Sequence, residues 1–84
     1  MSKTITSLLV HKNNIIFSDD TGTIFNISEY GKIKWKKNIY KKLYKKIYKN
    51  LAFSIYKSNI YVADNIGFIY VINLNSGKLV WIKN

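Results

Sequence analysis

An internal repeat is the feature that most constrains how this chain can fold. Residues 64–83 and residues 19–37 share one order: a Gly-containing turn, an alternating strand, a second Gly turn and a strand that carries a Trp. Aligning residues 12–30 with 57–75 gives seven identities in nineteen positions, and aligning 31–38 with 77–84 gives five in eight. Chance matching at this composition gives only about three in all, so we infer two copies of one structural unit.

Each copy is predicted to hold four short strands. In the first copy, alternating or β-branched segments at residues 4–10, 15–18, 23–28 and 32–37 are separated by the polar turns 11–14, 19–22 and 29–31. The same order starts again at Leu51. Strict alternation in the fourth strand would place Ile33 and Trp35 on one face. The predicted fold is all-β, with two consecutive four-stranded antiparallel sheets.

Four strands in a unit of this length are typical of a β-propeller blade. The repeated pattern D-x-x-G-x-[IV]-[FY]-x-[IL], followed by G-K-x-x-W, resembles the repeat of the pyrroloquinoline-quinone-type (PQQ-type) propellers. Its anchors in this sequence are Asp19, Gly22, Gly31, Trp35, Asp64, Gly67, Gly77 and Trp81.

The resemblance implies one blade at residues 4–38, a connector at 39–50 and a second blade at 51–84. It also implies that each Trp docks against the Gly-bearing turn of a neighbouring blade. Two blades do not close a propeller ring, so the expected partners are other blades, supplied by a longer chain or by further copies.

Members of this family include quinoprotein dehydrogenases and the non-enzymatic propeller scaffolds of outer-membrane β-barrel assembly. We expect a non-catalytic scaffold that binds an unidentified protein partner, and by resemblance a periplasmic or outer-membrane location, although residues 1–14 do not predict a signal peptide. The alternative is a fragment of a PQQ-dependent dehydrogenase. Family quinone sites use carboxylate, amide and often paired cysteine groups with calcium; no such set can be assigned in this cysteine-free sequence, so no cofactor is expected.

The few acidic residues and the single histidine do not predict a catalytic or metal site. Asp19 and Asp64 occupy equivalent positions in different units, where each is expected to accept backbone N–H bonds in its turn. Asp20 and Glu29 also fall in predicted turns, and His11 has no second ligand at metal-binding spacing.

The net charge is +10, and every basic residue is Lys. Codons rich in A and T encode Lys, Ile, Asn and Tyr, so an AT-rich genome would give this composition without selection for a basic surface. The absence of Arg argues against nucleic acid as a partner. Residues 36–50 favour a short amphipathic helix. Its apolar positions fall four apart, at Ile39, Leu43, Ile47 and Leu51, with Tyr40, Tyr44 and Tyr48 beside them. In a crossover between blades the apolar face would pack inward and the lysines would be solvated; alternatively, this segment would bind an anionic membrane or single-stranded nucleic acid. The candidate contacts are Lys41, Lys42, Lys45, Lys46 and Lys49.

Overall fold

The chain forms eight β-strands in two sheets. The computed structural model describes residues 5–40, 44 and 47–84. The first sheet contains β1 (Ile5–His11), β2 (Asn14–Asp19), β3 (Ile24–Ser28) and β4 (Ile33–Lys37). The second sheet contains β5 (Leu51–Tyr56), β6 (Asn59–Asp64), β7 (Ile69–Asn73) and β8 (Leu79–Lys83). Both sheets are antiparallel with the strands in sequence order, which confirms the predicted all-β fold of two four-stranded blades.

Tight turns set the register of both sheets. The β1–β2 turn closes with His11 opposite Asn14, and the β5–β6 turn closes with Tyr56 opposite Asn59. Lys12 and Lys57 take positive φ angles of 54° and 49° in these turns, a conformation that costs a side-chain-bearing residue more than glycine. The two turns share this conformation at their first central residue but differ at the second, where Ser58 takes a positive φ of 64° and the equivalent Asn13 does not.

A β-bulge at the start of the fourth strand corrects the predicted facing of its side chains. Trp35 pairs with Asn26, whereas Ile33 pairs with Ile27, so Lys34 is the extra residue. Successive residues of β3 point to opposite faces of the sheet, and paired residues share a face. Ile33 and Trp35 therefore lie on opposite faces, and the prediction that they share one is wrong.

The hydrophobic core lies between the two sheets. Alternate residues of the middle strands point inward and are buried, because strand side chains alternate between the two faces. Each blade therefore has an inner face, which packs on the other blade, and an outer face. The buried hydrophobic residues of the strands' inner faces are Ile16, Ile24, Leu51, Ile60, Val62, Tyr70 and Ile72.

The connector differs from the predicted amphipathic helix where it is described. Lys36 and Lys37 belong to β4, and the backbone N–H of Ile47 donates to the Tyr44 carbonyl at 3.2 Å in a single tight turn. Ile47, which was predicted to pack inward, is 45% exposed. Residues 41–43, which include Leu43, and residues 45–46 lie outside the described residues.

Candidate functional site

The two blades are joined at one point by Trp35. Its indole Nε1 donates a hydrogen bond to the Leu74 carbonyl at 2.8 Å, and Asn26 Nδ2 donates to the same oxygen at 3.1 Å. The indole lies directly over Gly77, where an added Cβ would come within 2.6 Å of the ring. Gly77 has a φ of +76°, so glycine meets both the backbone and the packing requirement at this position. Trp35, Leu74 and Gly77 are called the inter-blade joint below.

The two repeated aspartates each organise a turn. Asp19 Oδ1 accepts the backbone N–H groups of Thr21 at 2.9 Å and Thr23 at 3.1 Å. Asp64 Oδ1 accepts three backbone N–H groups, at 2.8 to 2.9 Å, from Ile66, Gly67 and Phe68. One carboxylate oxygen thus satisfies several turn donors, as is common for Asp before a tight turn.

A hydrogen-bonded tyrosine pair connects the blades at a second point. The Tyr40 hydroxyl donates to Asp64 Oδ2 at 2.5 Å and lies 3.5 Å from the Tyr70 hydroxyl. The Tyr40 ring also covers Gly22 of the first blade, where an added Cβ would clash with the ring. Burial and the bond to Asp64 raise the pKa of Tyr40 well above its ordinary value, and burial likewise raises the pKa of Tyr70.

Sequence reasoning did not identify Tyr40 as a contact between the blades. It lies just beyond the aligned segments, which end at Asn38 and Asn84, so it has no counterpart within the chain. The repeat pattern therefore held no signal for it. The interpretation of residues 36–50 as a helix placed the tyrosines beside an apolar stripe instead.

Lys49 is buried, and its assignment as a contact for anionic surfaces is wrong. None of its surface is exposed, its Nζ donates to the Tyr44 carbonyl, and the same atom lies 5.1 Å from the centre of the Tyr40 ring. Desolvation lowers the pKa of this ammonium, although Asp19 and Asp64 oppose the shift. The other four candidate contacts, Lys41, Lys42, Lys45 and Lys46, lie outside the described residues.

The outer faces of both blades are apolar. On the first blade, Leu8 and Val10 are 61% and 62% exposed, beside a stacked pair of Phe17 and Phe25 whose ring centres are 4.9 Å apart. On the second blade, an open apolar groove of about 230 Å³ runs across three strands. It is lined by Ala52, Phe53, Ser54, Tyr61, Val62, Ala63 and Ile69.

The residues equivalent to Trp35 and Gly77 in the repeat do not form a contact of this kind. Trp81, equivalent to Trp35, pairs with Val71 in the second sheet and is 45% exposed. Gly31, equivalent to Gly77, has a φ of +86°, and in the described part of the chain no neighbouring atom comes within 4 Å of where its Cβ would stand. The structure therefore brings Trp35 and Gly77 together and leaves Trp81 and Gly31 apart.

The described residues hold neither a cluster of metal-ligating side chains nor a membrane-spanning helix. Over residues 5–40, 44 and 47–84, no group of three or more His, Cys, Asp or Glu side chains is placed to hold a metal ion. The same part of the chain contains no helix with the length and apolar character needed to cross a bilayer.

Comparison with known proteins finds a similar fold among solved structures. No family model matches it, and no curated protein does. Among solved structures, it is similar to the crystal structure of BamB from Moraxella catarrhalis, with a TM-score of 0.66 and 18% sequence identity. The similarity covers 92% of this chain and 22% of that chain. At this identity the likeness concerns the fold, which is that of two consecutive propeller blades.

Proposed function

We propose that this chain is a non-catalytic β-propeller unit that acts as a protein-interaction scaffold. Residues 4–38 and 51–84 would form its blades, and residues 39–50 would connect them. The observation that carries the proposal is that both outer faces of the blade pair are apolar. Leu8 and Val10 are more than 60% exposed on the first blade, and an open apolar groove crosses the second. Apolar patches of this kind mark sites that bind another protein surface.

The proposed setting is outer-membrane protein assembly. The repeat pattern resembles that of the propeller scaffold in this machinery, and the fold likeness to BamB supports the same relation. The chain spans 22% of that BamB chain, so its own contribution would be one part of a larger interaction surface. In this proposal the outer faces join further blades, and the loops between strands contact the assembly partner.

Direct binding measurements test this proposal. The 84-residue chain is immobilised and titrated with the purified barrel subunit of the assembly machinery from the same organism. Saturable binding is expected, weakened by substitutions of the exposed residues Tyr56 and Lys57 at the β5–β6 turn, which lies away from Trp81 and Gly31. It should be unaffected by Lys83→Gln at the opposite end of the second sheet.

Two parallel titrations make the result decisive. Stoichiometric uptake of pyrroloquinoline quinone in the presence of Ca²⁺, without binding of the barrel subunit, would overturn the scaffold proposal in favour of a dehydrogenase fragment. Binding only to vesicles that contain anionic lipid would overturn it in favour of a membrane-surface role. In that case replacing Lys41, Lys42, Lys45 and Lys46 with Gln should abolish vesicle binding.

A further inference from the structure

We infer that a second copy of this chain docks head to tail on the first, with Trp81 of one copy seated over Gly31 of the other. This inference rests on the proposed scaffold function, because it names an occupant for the outer blade faces. The inter-blade joint within one chain supplies the geometry. There, the Trp35 indole covers Gly77 and donates to the Leu74 carbonyl at 2.8 Å.

Residues on the outer face of the second blade are equivalent, by the repeat alignment, to residues on the inner face of the first. The repeat alignment relates Ile16, Ser18 and Ile24 to Tyr61, Ala63 and Ile69. The first three are buried against the second blade, whereas their equivalents lie on the open groove. Small residues recur at the Ser18 and Ala63 positions, so both faces leave room for an opposing side chain at the same place.

The outer face of the first blade corresponds in turn to the inner face of the second. Phe17 and Phe25 align with Val62 and Tyr70, which are buried in the core. Ile15 and Ile27 likewise align with Ile60 and Ile72, which pack between the blades. Val10 pairs with Ile15 as Ile55, another residue packed against the core, pairs with Ile60. The chain therefore carries both halves of a second blade-to-blade interface, one on each side.

The two residues that would anchor this second interface, Trp81 and Gly31, are both present in one chain but do not contact each other. Trp81 is 45% exposed on the outer face of the second blade. Gly31 ends its turn in the left-handed conformation, as Gly77 does, although the turn before Gly77 contains one extra residue, Ser76. In the alignment, the carbonyl that corresponds to that of Leu74 belongs to the exposed Glu29. In the docked pair the Trp81 indole covers Gly31 and its Nε1 donates to the Glu29 carbonyl.

The two outer faces differ from each other, so the contact is heterologous. Such contacts either close into a ring or continue as an open assembly that keeps one free face at each end. Each copy carries a charge of +10, which opposes association at low ionic strength. Salt screens that repulsion, so docking should strengthen as salt is added.

Sedimentation velocity on the 84-residue chain tests this inference. The wild-type mass should rise with protein concentration from 9.8 kDa to beyond twice that value, and rise further with added salt. Trp81→Ala should weaken association by about 30-fold or more, the usual effect of removing a Trp anchor. Gly31→Asn should do the same, because Asn tolerates a positive φ but fills the space that the indole needs. Tyr48→Ala, at an exposed connector position, is the control and should associate like wild type.

Mixing the two variants identifies the head-to-tail arrangement. The Trp81→Ala chain keeps an open Gly31, and the Gly31→Asn chain keeps Trp81, so the mixture should form dimers and nothing larger. Circular dichroism of each variant checks that its β structure is intact. A wild-type chain that stays at 9.8 kDa at every concentration and salt, or a mixture that stays monomeric while wild type associates, would overturn the inference.

The self-association result can be distinguished from the result of the barrel-subunit titration. A chain that self-associates through Trp81 but does not bind the barrel subunit retains the docking inference and loses the scaffold proposal. A monomeric chain that binds the barrel subunit does the reverse, and its outer faces are then occupied by something other than a second copy.

Discussion

Trp35 and Leu74 are joined across the two sheets by a hydrogen bond of 2.8 Å from the indole Nε1 to the backbone carbonyl. The same indole packs on Gly77 in the second blade. One side chain from the last strand of the first blade thus combines a directional bond with apolar contact at the interface. The stability of the blade pair should therefore depend strongly on this residue.

Replacing the two tryptophans should have unequal effects on stability. Trp35→Ala removes a packed indole and its bond to Leu74, so it should lower the free energy of unfolding by about 3–5 kcal/mol. Trp81→Ala removes a side chain that is 45% exposed and should cost less than about 2 kcal/mol. Urea titrations at low protein concentration measure both values without a contribution from self-association. Equal losses would contradict the assignment of Trp35 as the anchor of the inter-blade joint.

Two equivalent glycines provide a matched test of the same joint. Gly77→Ala and Gly31→Ala introduce a Cβ at similar φ values, +76° and +86°, so both pay about 1–2 kcal/mol of backbone strain. Only at Gly77 would the new Cβ meet the Trp35 ring, at 2.6 Å. Overpacking should add about 1–3 kcal/mol to the loss at Gly77. Urea titration of the two variants at one low concentration gives the difference directly; indistinguishable losses would show that Trp35 moves aside without cost.

The strand order was predictable because the signals for strands and turns are local. Alternation and turn glycines at Gly22 and Gly31 are visible in one short window of sequence. The bulge at Lys34 was not predictable, because an extra residue in one strand does not interrupt the run of strand-forming residues. It reversed the predicted facing of Ile33.

The contacts of the connector were not predictable for a different reason. Tyr40 and Lys49 are buried by residues distant in sequence, including Asp64 and Gly22. Composition predicts a solvated lysine, and only tertiary packing reveals that this one is enclosed. The repeat anchors, by contrast, each occur twice, and the repetition itself indicates that they belong to the architecture of the blade.

Replacing the buried lysine should raise stability. Lys49→Met keeps an unbranched apolar side chain, one atom shorter, and removes an ammonium whose pKa is lowered by desolvation. A lowered pKa means that the folded state disfavours the charge, so the free energy of unfolding at neutral pH should increase. Urea titration measures the change, with Lys57→Met at an exposed turn as the control. A clear loss of stability would show that the bond from Nζ to the Tyr44 carbonyl outweighs the desolvation.

Alkaline pH should weaken the fold through the buried tyrosines. The pKa values of Tyr40 and Tyr70 are raised in the folded state, so both hydroxyls stay protonated while those of the unfolded chain ionise above a pH of about 10. The unfolded state then binds fewer protons, and the free energy of unfolding falls by about 1.4 kcal/mol per pH unit for each tyrosine. Their stabilisation is complete below pH 10 and is lost as the pH rises toward the folded-state values.

Tyr40→Phe isolates one of these two groups. At neutral pH the variant should lose about 1.5–3 kcal/mol, the usual contribution of a hydrogen bond to a carboxylate such as that of Asp64. Between pH 10.5 and 12 its stability should fall about 1.4 kcal/mol per unit less steeply than that of wild type. Comparing the two chains at each pH cancels the opposite contribution of Lys49, whose lowered pKa makes wild-type stability rise until the unfolded lysine also loses its proton near pH 10.5. Tyr48→Phe, at an exposed position, should follow the wild-type slope. Parallel slopes for Tyr40→Phe and wild type would mean that the Tyr40 hydroxyl ionises as readily in the folded protein as in the unfolded chain, and the bond to Asp64 would then not be what connects the two blades at this point.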